Sequence, residues 1–358
     1  MKKGIILMCL HCFILSCIVG QTVWHDPMKT DSYIIRNQAF TSEIGRSYAR
    51  LPVRAKDRVR SPVWELSRYS SGLCIHFQSN ASHIKIRYGV TGPHGMPHMP
   101  PTGVSGIDMY RIEEHKWDYC SGTYTFSDTI LYDYDDLLTA GLPSEYCVFL
   151  PLYNEVAWME IGVEKGDEFY FRPKLDKKPI VVYGTSIAQG ACASRPGMAW
   201  GNIIQRYVDC PVINLGFSGN GKLEKEVLEF INEIDACLYI LDCVSNLTKD
   251  TLIREHTVQA VRQIRNCHKN TPVWIMEHAG YSNSKTNLSR QLECRSANMG
   301  TQQAYNDLLV EGVKNIDYIS KEDFDFPDDA WVDYVHPSDI GMRQKALVVK
   351  SKLLHLCE

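Results

Sequence analysis

The sequence predicts an α/β protein in two consecutive parts, an all-β sandwich or jelly roll followed by a unit with a five-stranded parallel sheet. Its 358 residues exceed the usual size of a single domain. Short segments rich in β-branched and aromatic residues, separated by turn residues, fill the chain from Trp24 to about Pro173. Beyond Lys178, predicted strands and helices alternate five times, which calls for a parallel sheet covered by helices on both faces.

The start of the chain has the pattern of a secretory signal peptide. Two lysines precede an apolar run from Ile5 to Val19 that contains no acidic residue. We expect cleavage near Gln21, with lipidation at Cys17 as the alternative, and therefore an exported protein that is periplasmic, secreted or anchored at the cell surface. No later segment holds about 18 uninterrupted apolar residues, so no transmembrane helix is predicted.

These patterns divide the chain into three predicted segments. They are a signal peptide at residues 1–20, a β-sandwich at 21–175 and the α/β part at 176–358, with the second boundary in a charged linker near 174–179. In the β-sandwich, strands are predicted at 63–66, 73–77, 83–88, 107–112 and 156–163. The loop at 91–103 holds four prolines and two histidines and is predicted to be a long exposed connection.

The α/β part has clearer periodicity. Strands are predicted at 179–183, 212–217, 238–242, 273–276 and 316–319. Helices are predicted at 199–208, 223–231, 252–267, 302–313 and 342–354. In sheets of this kind, binding and catalytic groups collect on the loops at the carboxyl ends of the strands.

Composition excludes several classes of protein. Hydrophobic residues are 44% and charged residues 22% of the chain, which rules out disorder, collagen and coiled coil. The net charge of −4 gives no basic footprint for nucleic acid. Ten of the 13 cysteines lie beyond the leader, most of them in apolar strand-like runs typical of small buried side chains. No Cys-x-x-Cys pair is present, and a disulfide pattern cannot be assigned.

Three loops after predicted strands carry candidate polar groups. Ser186 follows the first strand, where a serine hydroxyl can stand at the sheet edge, although a serine there also commonly just caps a helix. Gly219 lies in a glycine-rich loop after the second strand and offers a backbone N–H, or else forms an ordinary turn. Asn246 follows the third strand, and its amide is either a donor to a ligand or part of a turn.

The fourth candidate is Asp333 with His336. A carboxylate three residues before a histidine can hold one ring nitrogen and leave the other free as a base. Pro337 prevents the histidine from entering the helix that follows directly. Glu277-His278 after the fourth strand is a weaker candidate, because a lone Glu-His pair lacks the three ligands of a catalytic metal site.

These segments, in this order, resemble the blocks of the SGNH, or GDSL, hydrolase superfamily. The matching positions are Ser186 in the first block, Gly219 in the second, Asn246 in the third, and Asp333 with His336 in the last. Thr185 stands where the Asp of Gly-Asp-Ser-Leu is usual, and the third block lacks its preceding glycines and following Asp. The resemblance covers the chain from Ile180 onward and implies a flavodoxin-like hydrolase domain.

A second resemblance lies upstream. The run Gly-Ile-Asp-Met-Tyr at 106–110 is similar to the Gly-x-Asp-Leu-Tyr motif of a β-rich domain that precedes certain bacterial GDSL-type esterases. In that subgroup Thr at the position of Thr185 is unremarkable. For Asp108 and Tyr110 we expect structural packing rather than catalysis.

The resemblance implies a serine esterase acting on O-acyl groups, chiefly O-acetyl groups, of polysaccharide or oligosaccharide. Ser186 would be the nucleophile, His336 the base and Asp333 the residue that orients it. The oxyanion would be received by the N–H groups of Ser186 and Gly219 and the side chain of Asn246. No metal or organic cofactor is required, and the expected partner is a small-molecule or glycan ester. The alternatives are a lipase or thioesterase for longer acyl chains and a catalytically weak carbohydrate-binding surface protein.

Overall fold

The computed structural model describes residues 21–139, 141–247 and 250–356. The predicted signal peptide at 1–20, with Cys17, lies outside the described residues. Within those ranges no helix combines the length and the apolar character needed to cross a membrane.

The first half of the chain forms two antiparallel sheets. Their strands are β1 (Thr22–His25), β2 (Ile35–Arg36), β3 (Cys74–Ser79), β4 (Ile84–Val90), β5 (Asp108–Glu113), β6 (Lys116–Cys120), β7 (Thr123–Thr125), β8 (Ile130–Tyr134), β9 (Ser144–Phe149), β10 (Val156–Glu164) and β11 (Phe169–Arg172). One sheet has the order β1-β10-β4-β8-β7, and the other has β11-β3-β9-β5-β6 with β2 beside β3. Alternation places the core: in β4, Ile84, Ile86 and Tyr88 are buried in the sandwich while Lys85 and Arg87 are less so.

The second half forms a five-stranded parallel sheet. Its strands are β12 (Ile180–Gly184), β13 (Val212–Gly216), β14 (Leu238–Asp242), β15 (Val273–Met276) and β16 (Ile316–Ile319). The order is β13-β12-β14-β15-β16. The first strand, β12, therefore lies inside the sheet, with β13 added on one side of it and the later strands on the other. A ligand site is expected at the carboxyl ends of strands around such a reversal.

Helices cover both faces of this sheet and fill several connections. They are α1 (Thr41–Ile44), α2 (Ser61–Ser67), α3 (Pro101–Val104), α4 (Ser186–Gln189), α5 (Trp200–Gln205), α6 (Lys225–Ile231), α7 (Asp250–Cys267), α8 (Leu288–Val310), α9 (Lys321–Phe324) and α10 (Asp339–Leu356). One buried apolar cluster lies on each face, the first including Tyr183 and Phe230, the second Trp200 and Trp274. The predicted α/β fold with a parallel five-stranded sheet behind antiparallel β-sheets is confirmed.

Three predicted elements were wrong. Residues 63–66 belong to helix α2 rather than to a strand, because Pro62 suits the first helical turn and Val63 and Ser67, one turn apart, bury the same face. Helix α8 begins at Leu288, well before the predicted residue 302. The side chain of Asn287 caps it there, and the polar character of its first turns hid them from the prediction. The loop at 91–103 is not simply exposed: its end enters α3, and Met99 is buried.

The segment before β3 packs against the parallel sheet. Ala39, Leu51, Ala55 and Val63 share a buried cluster with residues of β12 to β15. The buried guanidinium of Arg50 donates to the carbonyls of Asn214 and Gly216 in the edge strand β13, at 3.1 and 2.7 Å. Residues upstream of the predicted boundary at 175/176 therefore cover one edge of the downstream sheet. The boundary itself remains a prediction.

Candidate active site

Ser186 lies where β12 turns into α4, at the carboxyl edge of the parallel sheet. Thr185 caps the short helix, its hydroxyl accepting from the N–H of Ile187 at 3.4 Å. The turn is tight: a Cβ on Gly184 would lie 2.5 Å from that of Ala188 and 2.8 Å from the carbonyl oxygen of Asp242. The packing of this turn fixes the serine hydroxyl at the sheet edge, with 8% of the residue exposed.

Ser186, His336 and Asp333 form a continuous hydrogen-bonded chain. The Oγ of Ser186 lies 2.9 Å from Nε2 of His336, and Nδ1 of the same ring lies 2.7 Å from Oδ2 of Asp333. A carboxylate can only accept, so the ring proton belongs on Nδ1 and Nε2 is left to accept from the serine hydroxyl. The three groups can therefore activate an oxygen nucleophile.

The carboxyl of Asp333 is held in its ionised form. Its Oδ1 accepts from the backbone N–H groups of Val335 and His336 at 2.8 and 2.7 Å. Burial alone would raise the pKa of Asp333, but these bonds and the one from the His336 ring outweigh it and hold the pKa below its ordinary value. The negative charge stays beside the imidazole, where it favours a transient positive charge on the ring.

The loop after β13 folds over the same edge. Gly221, with φ of +72°, approaches so closely that a Cβ on it would lie 2.0 Å from the carbonyl oxygen of Gly184. Gly219 also has a positive φ, +67°, and a Cβ there would meet nothing within 4 Å. The first glycine is required by contact with the β12 turn, whereas Gly219 is exposed and needs glycine only for its positive φ.

Asn246 lies in a single helical turn after β14, the strand that pairs with β12. Its Nδ2 donates to the backbone carbonyl of Asn220, which ties this turn to the glycine-rich loop. An amide nitrogen carries two protons, so one N–H remains for another acceptor. The structure thus brings Ser186, Gly219 and Asn246 to loops on three adjacent strands, β12, β13 and β14.

The β-sandwich contributes a residue that sequence reasoning missed. The loop before α3 carries His98, whose ring stacks on His336 with centroids 5.8 Å apart and planes inclined by 21°. The Sγ of Cys192 donates to the backbone carbonyl of His98 at 3.6 Å. The sequence motifs predict the serine-histidine chemistry. They do not predict where His98 lies, because its position depends on how the two halves of the chain pack.

Asp108 and Tyr110 join the two halves, as expected of structural residues. The carboxylate of Asp108 accepts from Arg195 at 2.6 Å and from the N–H of Gly197 at 2.7 Å, and the Tyr110 hydroxyl accepts from Arg195 at 2.8 Å. Ser194, the neighbouring residue, binds the carboxylate of Asp339 through its N–H at 2.9 Å and through its hydroxyl. The segment between α4 and α5 is therefore fastened both to the sandwich and to the N-terminal end of α10.

The pair Glu277-His278 is engaged elsewhere. The Glu277 carboxylate accepts from the hydroxyl of Tyr318 and from the N–H of Lys321 at 2.6 Å. His278 is buried, its Nδ1 accepts from the N–H of Gly280 at 2.9 Å, and burial lowers its pKa to about 3. A neutral, enclosed ring of this kind is no rival to His336 as the residue beside Ser186.

Comparisons with known proteins agree with this architecture. Residues 177–354 match the model of the GDSL-like lipase/acylhydrolase family, and residues 22–169 match the model described as the N-terminus of esterases of SGNH hydrolase type. A search of curated proteins finds no significant match.

Three solved structures similar to this chain cover 80 to 94% of it. A protein described as a GDSL-like lipase from Bacteroides ovatus is 29% identical, with a TM-score of 0.86 over 94% of this chain and 98% of its own. The salicylyl-acyltransferase of a tetracycline biosynthetic pathway is 15% identical, with a TM-score of 0.67 over 94% of each chain. A family two carbohydrate esterase from Clostridium thermocellum, in complex with cellohexaose, is 11% identical with a TM-score of 0.54, covering 80% of this chain and 93% of its own.

The last two similarities speak for the fold alone. The two family models, in contrast, cover the sandwich and the parallel-sheet unit one after the other, in the order in which the fold presents them. The chain belongs to the SGNH/GDSL hydrolase superfamily, in the subgroup with a β-rich N-terminal domain, and is an esterase.

Proposed function

We propose that this esterase removes O-acetyl groups from polysaccharide or oligosaccharide by a Ser-His-Asp mechanism. The observation that carries the proposal is the unbroken chain from Ser186 Oγ through the ring of His336 to the carboxylate of Asp333, with distances of 2.9 and 2.7 Å. Each link has the donor and acceptor that the mechanism requires before substrate arrives.

The reaction divides into two halves. The Oγ of Ser186 attacks the ester carbonyl carbon while Nε2 of His336 takes the hydroxyl proton. The tetrahedral intermediate collapses, the ring returns the proton to the departing sugar oxygen, and the acyl group remains on the serine. Water then attacks the acyl-enzyme while His336 takes its proton. The second tetrahedral intermediate collapses, the ring returns that proton to Oγ of Ser186, and acetate leaves.

The developing oxyanion needs donors on the opposite side of the carbonyl. The N–H groups of Ser186 and Gly219 and the remaining amide proton of Asn246 fill this role in the proposal. What supports it is the convergence of their three loops on one sheet edge and the bond by which Asn246 holds the loop at Asn220. Backbone donors fixed in this way need little reorganisation when the charge forms.

A small acyl group fits the surroundings of the serine. Ser186 is only 8% exposed, and the neighbouring Ile187 and Cys192 are buried at 3% and 6% exposure. The serine side chain thus reaches solvent over only a small part of its surface. This favours acetyl esters over the lipase or thioesterase alternative.

An exposed aromatic ring beside the triad supports a glycan as the alcohol part. Tyr334, between Asp333 and His336 in sequence, is 46% exposed, and its ring lies 6.0 Å from that of Tyr281. Arg290 lies over it at 4.5 Å and holds it in place. A flat ring with an apolar face and a polar hydroxyl suits the faces and hydroxyls of a sugar.

Export completes the proposal. The signal-like residues 1–20, with Cys17 as the alternative lipid attachment point, favour a bacterial enzyme that meets its substrate outside the cytoplasm. Polymeric or oligomeric glycans that carry O-acetyl esters are substrates that an exported enzyme can reach.

The test compares acetate release from acetylated oligosaccharides with hydrolysis of p-nitrophenyl esters of increasing chain length. We expect the acetyl ester to be preferred, and Tyr334→Ala to raise KM on the oligosaccharide several-fold more than on p-nitrophenyl acetate. A preference for long acyl chains would support the lipase alternative. Binding of oligosaccharide without acetate release above that of Ser186→Ala would support the catalytically weak binding protein.

A further inference from the structure

A second group of chemically reactive side chains lies in the β-sandwich. Cys74 and His76 stand two residues apart on β3, and Cys147 on β9 is paired directly with His76. Residues two apart on a strand share a face, and so do directly paired residues on adjacent strands. The three side chains therefore point to the same side of the sheet, away from the sandwich core that contains Ile75, Phe77 and Val148.

Their geometry suits a metal ion. One nitrogen of the His76 ring and the sulfurs of Cys74 and Cys147 all lie within 4.8 Å of one another. Cys74, His76 and Cys147 are 1%, 5% and 0% exposed. Two sulfurs and an imidazole nitrogen form a donor set for soft closed-shell cations, which bind thiolate and imidazole in preference to oxygen ligands.

The neighbouring groups orient these ligands. Nδ1 of His76 lies 2.7 Å from Oε1 of Glu145, which leaves Nε2 as the nitrogen free to bind an ion. A carboxylate on the distal nitrogen is the usual partner of a metal-binding histidine. Asn37 donates through Nδ2 to the sulfur of Cys74 at 3.6 Å and to the carbonyl of Gly72 at 2.9 Å, so the thiolate also has a hydrogen-bond donor.

We propose that Cys74, His76 and Cys147 bind one thiophilic cation, Zn²⁺ or Cu⁺, in a structural site separate from the esterase centre. Binding replaces the two thiol protons, and two thiolates balance the charge of Zn²⁺ or exceed that of Cu⁺ by one. The ion ties β3 to β9 on the face where Asp108 and Tyr110 hold the parallel-sheet half. It stabilises the sandwich at the point where the two halves meet.

Stoichiometric binding to the full chain is the direct test. Protein prepared without metal receives about one equivalent of Zn²⁺, or of Cu⁺ under anaerobic conditions, and is desalted before elemental analysis. We expect about one ion per chain to be retained in at least one arm, and removing it with a chelator to lower Tm by ~3 °C or more. The arm that retains metal identifies the cation.

Matched variants locate the ion. Cys74→Ser, His76→Asn and Cys147→Ser should each lose the retained metal, whereas Cys243→Ser, at a buried cysteine in the other half, should keep it. Cys192→Ser is a second control, since Cys192 lies with His98 and His336 in a different His/Cys cluster. Glu145→Gln keeps all three ligands and should weaken binding by about 10-fold or more. Glu145→Gln therefore tests the site even if a variant at one of the three ligands fails to fold.

Three results would overturn the proposal. The first is that the wild type retains less than about 0.1 ion per chain with either metal. The second is that Cys192→Ser loses the ion but Cys74→Ser keeps it. The third is a Cys74–Cys147 disulfide in protein that resists metal loading. The readout is bound metal rather than esterase activity, so its outcome is independent of the proposed function.

Discussion

His98 of the sandwich stacks on His336 of the parallel-sheet half, with ring centroids 5.8 Å apart. The ring that contacts Ser186 on one side thus contacts the N-terminal half of the chain on another. The loop residues around His98 and Val332 line a shared surface depression next to this contact. The β-sandwich therefore places a side chain directly beside the Ser-His-Asp chain.

The first prediction concerns His98. We expect His98→Ala to raise KM for an acetylated oligosaccharide about 3- to 10-fold, with kcat changed less than about threefold, because His98 lies beside the base without entering the Ser-His-Asp chain. Steady-state kinetics measure both constants. The matched control is His94→Ala, in the same loop but with its ring tilted against that of Phe126, the centroids 5.8 Å apart. If turnover instead fell about 100-fold in His98→Ala, His98 would take part in the reaction itself.

The second prediction concerns pH. Because the pKa of Asp333 is lowered, this carboxyl stays ionised across the mildly acid range, so its protonation should add no second step to the acid limb of the activity. His336→Ala should be almost inactive, and His278→Ala should retain most activity because that ring is buried and engaged elsewhere. A pH–rate profile of kcat/KM and the two variants test this. An acid limb that needs two protons, or the reverse ranking of the histidines, would contradict it.

The third prediction concerns Asn246. Removing one oxyanion donor typically costs about 10²- to 10³-fold in turnover, so Asn246→Ala should lower kcat by about that much with a smaller change in KM. Ser245→Ala, at the preceding half-buried position, should have little effect. A structure with a phosphonate on Ser186 measures the contact. An Asn246 amide more than ~3.5 Å from the phosphonyl oxygen would leave it only its bond to Asn220.

The fourth prediction concerns the contact between the halves. Asp108→Ala removes the acceptor of Arg195 and of the Gly197 N–H, and we expect it to lower the free energy of unfolding by about 2 kcal/mol or more. Urea unfolding at neutral pH measures this. The control Asp118→Ala removes an exposed partner of Arg111 and should cost less than about 1 kcal/mol. Equal effects of the two substitutions would refute the role of Asp108 in joining the halves.

Periodicity predicted the parallel sheet closely. Strands β14, β15 and β16 have the predicted bounds. β14 and β15 are short apolar runs buried on both faces, whereas β16 is a half-buried edge strand that contains Asp317. The sandwich was predicted less completely: strands such as β6 and β7 are largely exposed, so their residues show no clear apolar alternation. The error at Val63 has a different cause. Its β-branched side chain favoured a strand, whereas Pro62 before it suits the first turn of helix α2.

The part of the site that lies in sequence motifs could be predicted. Ser186, Asp333 and His336 each stand in a short segment whose spacing indicates the chemistry, and the structure joins them by hydrogen bonds. His98 could not be predicted, since no local pattern records which loop of one half lies against the other. The Cys74, His76 and Cys147 group was hidden for the same reason, because Cys147 is distant in sequence from Cys74 and His76 and meets them only through the pairing of β3 with β9.

The nucleophile is identified most directly by the site of covalent modification by an organophosphonate that mimics an acetyl ester. We predict one phosphonyl group per chain on the peptide containing Ser186, detected by mass spectrometry, with loss of acetate release in proportion to labelling. Ser186→Ala should remain unlabelled and lose at least ~10³-fold of the activity while keeping its fold. Labelling of a different serine, or activity of Ser186→Ala within about tenfold of the wild type, would show that Ser186 is not the nucleophile.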